Sequence, residues 1–147
     1  KKLKPVVGID TALKKITTQK CVASSGSREK IDLCLRLTDL SNYFEKNSIF
    51  TALDVANGKP APDLFLHAAA QMNSNPSDCV VVEDSVPGVV AAKAAGMPVF
   101  GYAGGEHTVS QHPADLARAG AIVFQDMAAL PNHLQNTNPQ KQQGSCL

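Results

Sequence analysis

Long apolar runs are missing from this sequence. A membrane-spanning helix needs about 20 consecutive apolar residues, and no stretch approaches that length. The start does not read as a signal peptide, so no membrane partner is expected. An excess of charge is also missing. Fourteen Lys and Arg against 13 Asp and Glu leave a formal net charge of +1, which argues against a nucleic-acid or membrane-surface role. The four cysteines, Cys21, Cys34, Cys79 and Cys146, lack CxxC or any other zinc spacing. Cys21 and Cys79 fall in expected strands and Cys34 in an expected helix. Buried thiols in a reducing cytoplasm are therefore expected rather than a disulfide framework. Tryptophan is absent and excludes nothing about function. An initiating methionine is absent too: the chain opens Lys1-Lys2-Leu3, as a processed protein or a piece of a longer one would.

The rest of the chain is organised around DCVVVEDSVPGVVAAKAAGMPVFG, residues 78–101. Cys79-Val80-Val81-Val82 is short, β-branched and without alternation, which suits a strand buried on both faces of a parallel sheet. Glu83 and Asp84 follow at once. Residues 86–96 then place small side chains at helical spacing and end on Gly96, where a helix would stop. Pro98-Val99-Phe100 is a second apolar run. Adjacent carboxylates at the carboxyl end of a parallel strand lie where open α/β sheets bind ligands. Two such groups repel each other, and a hard cation is the usual reason to tolerate them. A solvated loop with two acids is the alternative.

Patterning predicts the other elements. A helix is expected from Ile9 to about Thr18, with Asp10 or Thr11 as N-cap. A strand is expected at 20–23, an amphipathic helix at 28–40 and a weaker strand at 49–53. Further helices are expected at 63–72, 113–119 and 126–134, with a last strand at 121–124. Residues 1–135 form one domain on this reading, and 136–147, without an apolar pattern, form a disordered tail. Alternating strands and helices give an α/β fold, a doubly wound, Rossmann-like parallel sheet. Ser24 ends the first strand before a glycine-containing turn. Its hydroxyl can donate to a phosphate oxygen alongside the turn's N–H groups, or it can serve as an ordinary helix N-cap. Lys59 lies in Gly58-Lys59-Pro60-Ala61-Pro62-Asp63, which by itself suggests only a turn. Gly101, Gly104 and Gly105 form no GxGxxG, so a dinucleotide site has little support.

Three strings together resemble the haloacid dehalogenase superfamily, in its branch of β-phosphoglucomutase-like and phosphoglycolate- or phosphogluconate-phosphatase-like enzymes. EDSVPGVVAAKAAGM resembles the fourth motif, KPAPDLF the third and VASSGSREKI the second. The resemblance implies a phosphatase of small phosphorylated metabolites such as sugar phosphates, working through an aspartyl phosphate with Mg2+. It implies that Glu83 and Asp84 bind the magnesium, Asp84 directly and Glu83 directly or through water. It implies that Ser24 contacts phosphate, with Ser25 and Gly26 in a backbone role, and that Lys59 pairs with the nucleophile and the phosphoryl group. The first motif, an aspartate pair on the family's first strand, has no counterpart here, and neither does the cap domain. The core is therefore expected to be incomplete at its N-terminal side. A missing N-terminal segment or a second chain is expected to supply the nucleophile. A non-catalytic fragment or degenerate relative is the alternative. His67, His107, His112 and His133 have no ligand spacing. His67 is expected on a helix surface, and His107 and His112 in a loop near the expected active-site rim, as surface residues.

Overall fold

The protein, in a computed structural model, is described for residues 2–105 and 109–137. His107, Cys146 and most of the expected tail lie outside the described residues. Six helices and five strands alternate along the chain. Helix α1 (Ile9–Lys15) precedes strand β1 (Val22–Ser24), helix α2 (Arg28–Leu37) and strand β2 (Ile49–Thr51). Helix α3 (Asp63–Gln71) leads to β3 (Val81–Glu83), α4 (Val86–Ala94) and β4 (Val99–Tyr102). Then come α5 (His112–Ala119), β5 (Ile122–Phe124) and α6 (Leu130–Thr137). Every strand pair is parallel: β1 with β2, β3 with β4, and β4 with β5.

Strand alternation sends side chains to two layers. Val81 and Val99 pack with Phe65, Ala69, Val89, Ala92 and Leu116 from α3, α4 and α5. Phe100 and Phe124 face the other way, onto Ala12 of α1 and Leu130 of α6. Helices thus cover both faces of the β3-β4-β5 sheet, the doubly wound arrangement that the sequence predicts. Phe50 of β2 packs against Leu64 and Ala68 of α3, so α3 is shared by both parts of the core. The sheet is divided. Among the described residues β1 and β2 form one sheet and β3, β4 and β5 another, with no ladder between β1 and β3. The two inner edges face each other across a slot lined by Cys21 and Ala23 on one side and residues 79–83 on the other. The Val81 N–H donates to the Pro98 carbonyl (2.9 Å), so Val81 turns its backbone groups toward β4. Val80 and Val82 turn theirs toward β1, because successive residues of a strand alternate.

Several boundaries differ from the sequence reading. Helix α1 is capped by Gly8, not Asp10 or Thr11. Gly8 sits at φ 86°, and a Cβ there would come within 2.9 Å of the Ala128 backbone nitrogen, so the position requires glycine. The same helix stops at Lys15, because Ile16 turns extended. Helix α2 stops at Leu37, short of Leu40, because Asp39 adopts a left-handed φ of 58° and the Thr38 hydroxyl donates to the Cys34 carbonyl (2.7 Å). Strand β2 stops at Thr51, which caps a 3₁₀ turn at Ala52–Asp54 while Asp54 accepts from the Thr51 N–H. Asn136 and Thr137 belong to α6, not to a tail.

Two shifts matter for function. Strand β1 runs to Ser24 and β3 starts late, at Val81, because the Cys79 N–H is used by the preceding turn, donating to the Pro76 carbonyl (3.1 Å). Ser24 and Glu83 therefore end their strands and do not lie in the turns beyond them.

Candidate active site

The carboxyl ends of β1 and β3 meet the loop carrying Lys59. That loop is held by its own polar groups. The Asn57 backbone and side-chain N–H groups both donate to the Asp63 carboxylate (3.2 Å each), and the Ala61 N–H donates to the Gly58 carbonyl (3.0 Å). With the backbone so fixed, the Lys59 side chain runs inward over the Phe65 ring, its Nζ 4.9 Å from the centroid. It donates to the Ala23 carbonyl at 3.1 Å and forms an ion pair with Glu83 Oε1. Both side chains are nearly buried, 10% and 8% exposed. An ammonium has three N–H donors, and two acceptors leave one for an anion at the mouth of the site.

Glu83 is occupied on both oxygens. Besides Lys59 on Oε1, its Oε2 accepts from the Asp84 N–H (3.3 Å), the Ser85 N–H (3.3 Å) and the Ser85 hydroxyl (3.0 Å). Ser85 Oγ in turn accepts from the Gly88 N–H (3.2 Å) as the N-cap of α4. A carboxylate accommodates about four donors, and Glu83 has four. The resemblance implies magnesium at Glu83, directly or through water; in this structure the carboxylate also anchors Lys59 and the first turn of α4. Glycine at position 88 makes this possible. A Cβ on Gly88 would lie 2.0 Å from the Glu83 carboxyl carbon. Gly88→Ala should therefore push Glu83 off its donors and lower stability by about 1–3 kcal/mol. Thermal unfolding measures this, and a midpoint equal to that of the unaltered protein would show that Glu83 has room to move.

Asp84 is different. It is exposed, and among the described residues no hydrogen bond or ion pair reaches its carboxylate. Its backbone is held on both sides, the N–H by Glu83 Oε2 and the carbonyl by His112 Nε2 at 2.7 Å. No group of three metal-ligating side chains forms among the described residues. Magnesium is held by one or two carboxylates together with waters and substrate phosphate. A single free, backbone-anchored carboxylate fits that ion as one ligand of several. The other donors have to come from solvent, substrate and groups outside these residues.

Ser24 Oγ accepts from the Gly26 N–H (3.1 Å), and its hydroxyl proton has no partner among the described residues. The Gly26 N–H, given a backbone role by the resemblance, is turned to Ser24 in this structure. The N-cap of α2 is Ser27, accepting from the Lys30 N–H, so Ser24 is not used as a cap. Ser25 is exposed beside it. The site thus brings together Ser24, Lys59, Glu83 and Asp84 from three separate segments. The sequence places His112 in a loop near the active-site rim, as a surface residue; in the structure it opens α5 and its ring reaches the Asp84 carbonyl. Its only sequence signal is a histidine at the start of a helix following the strand next to β3. His67 stacks edge-on against Phe50, 5.5 Å between centroids, and His133 packs on Phe100 and Phe124. Neither joins the site.

Comparisons with known proteins give the family and the fold. The family described as haloacid dehalogenase-like hydrolase matches residues 1–96. The chain is 34% identical to the 6-phosphogluconate phosphatase of Escherichia coli (strain K12) over 105 residues, covering 71% of this chain and 47% of that protein. It is 36% identical to the β-phosphoglucomutase of Bacillus subtilis (strain 168) over 83 residues, 56% of this chain and 35% of the relative. A crystal structure of a haloacid dehalogenase-like protein of unknown function from Agrobacterium tumefaciens superposes with a TM-score of 0.87 at 40% identity. That match covers 91% of this chain and 61% of the other. The chain spans about half the length of the curated phosphatase it matches.

Proposed function

This chain belongs to the haloacid dehalogenase-like hydrolases, and from that premise we propose that it is the core of a magnesium-dependent phosphatase of small phosphate monoesters such as sugar phosphates. The observation that carries this reading is Lys59, whose ammonium joins the ends of β1 and β3 with one donor still free, beside the unpartnered carboxylate of Asp84. Relatives named for 6-phosphogluconate and phosphoglucose chemistry support a phosphorylated sugar or sugar acid as substrate.

Each residue then has a distinct role. Lys59 offsets the charge of the bound phosphoryl group and of the oxyanion developing on it. Ser24 donates its hydroxyl proton to a phosphoryl oxygen. Glu83 holds Lys59 in place and orders the start of α4. Asp84 is the carboxylate that holds magnesium, and magnesium supplies charge neutralisation on the phosphoryl oxygens. The attacking carboxylate is not among these groups. Ser24 and Lys59 sit at the top of the slot between β1 and β3, whose facing backbone edges have no partner strand among the described residues. A strand from outside the 147 residues, N-terminal or on a second chain, would pair there and bring the nucleophilic aspartate to Lys59. A reducing cytoplasm is the compartment proposed, on the cysteine spacing of the sequence, which lacks the pattern of a disulfide framework. Among the described residues no helix is long and apolar enough to cross a membrane.

The open slot also favours a second reading, in which the chain is a non-catalytic module that folds around phosphate or a partner. One assay separates the two. The 147-residue chain is given an aryl phosphate and 6-phosphogluconate with Mg2+, alone and joined to a strand-bearing segment that ends in an aspartate pair. Turnover is expected only in the joined protein and is abolished by EDTA. Absence of turnover in both forms selects the non-catalytic module. Asp84-dependent turnover by the 147-residue monomer would place the nucleophile within this chain and sink the strand proposal.

A further inference from the structure

The hydrogen bond from His112 to the Asp84 carbonyl joins residues 28 positions apart. It ties the first residue of α5 to the turn between β3 and α4. A carbonyl only accepts, so Nε2 carries the proton and donates. On the other side of the same residue, the Asp84 N–H is taken up by Glu83 Oε2, and so is the next amide, Ser85. The peptide groups flanking Asp84 are thus clamped by two side chains from different elements, while its own carboxylate is exposed and, among the described residues, without a partner. A hydrogen bond made only to satisfy a surface carbonyl could equally come from water. A histidine reaching across from α5 fixes the direction in which the carboxylate leaves the backbone.

We infer that His112 is a positioning residue for the Asp84 carboxylate, orienting it toward a divalent cation through the Asp84 peptide group without touching the cation. This rests on Asp84 as the magnesium carboxylate. Removing such a support typically weakens metal binding by about 10-fold or more, because the carboxylate must then be ordered at the moment of binding.

The test uses the ¹⁵N-labelled 147-residue chain and Mn2+, an oxygen-seeking stand-in for Mg2+. Paramagnetic broadening of the Ser85 and Gly88 amide signals is followed as Mn2+ is added, which reads weak binding at this turn without any turnover. Asp84→Asn should abolish the broadening. His112→Ala should shift the titration to about 10-fold higher Mn2+ with the thermal midpoint little changed. His112→Gln, whose side-chain amide can place an N–H donor near the position of Nε2, should restore it to within about threefold. Should the alanine variant melt early, His112→Met keeps the bulk without the donor and takes its place. If Asp84→Asn abolishes broadening while His112→Ala leaves it unchanged, the inference falls and the metal reading stands. If glutamine fails to rescue, the donor role is overturned. If Asp84→Asn has no effect, the metal reading itself is wrong and the inference falls with it.

Discussion

Lys59→Ala should cost the fold about 3–5 kcal/mol, the usual penalty for breaking a buried ion pair from one side. The variant strands the Glu83 carboxylate, 8% exposed, with three donors but no counter-charge. It also removes the ammonium from the Ala23 carbonyl and from the Phe65 ring. For a chain of this size the loss corresponds to a fall in thermal midpoint on the order of 10 °C. In the completed enzyme it should also lower kcat by at least about 10²-fold, because a preorganised charge at the phosphoryl site is lost. Lys46, whose side chain is exposed, is the control, and Lys46→Ala should change neither quantity. The two effects can be separated. Lys59→Met combined with Glu83→Gln removes both charges, and much of the stability should return while activity stays low. Equal and small effects at Lys59 and Lys46 would make Lys59 an ordinary loop lysine.

The second large effect is expected at Asp84, and it has the opposite character. Asp84→Asn should leave the unfolding free energy within about 0.5 kcal/mol of the unaltered protein, as for an exposed side chain without partners among the described residues. The backbone clamp from Glu83 and His112 does not involve the carboxylate, so the turn should keep its shape. Magnesium-dependent turnover in the completed enzyme should fall by about 10³-fold or to background, since an amide oxygen holds magnesium poorly. Full activity in Asp84→Asn would remove the residue from the metal site. A large loss of stability would mean that the carboxylate has a structural partner.

The order of elements was readable because a short apolar run at 79–82, the small residues at helical spacing over 86–96 and the glycine that ends them follow one another. Which residues end their strands was not readable. Whether Glu83 belongs to a turn or to β3 depends on how far the pairing with β4 runs, and it reaches Glu83 opposite Gly101. For the same reason the sequence showed two adjacent acids but not their division of labour. Glu83 becomes inward-facing only because Gly88 has no side chain and Lys59 arrives from 24 residues away. Gly26 was assigned a phosphate-binding amide by resemblance, and the Ser24 hydroxyl takes that amide in a contact that patterning does not register. The contact of His112 was not readable because its partner is a backbone carbonyl, and carbonyls leave no trace in a sequence.

The divided sheet has a further consequence. Among the described residues, no backbone ladder links Ser24, at the end of β1, with Asp84, just past the end of β3. Their separation is therefore set by side chains, by Lys59 reaching across and by α3 packed beneath. A ladder fixes spacing through many repeated bonds, whereas a side-chain bridge fixes it through a single salt link and the volumes of a few apolar groups. Substitutions at Phe65 or Ala69, neither of which would touch a substrate, can then widen or narrow the mouth by fractions of an ångström. In this chain the breadth of the cleft between Ser24 and Asp84 is a property of its core, open to change without altering any polar group in it.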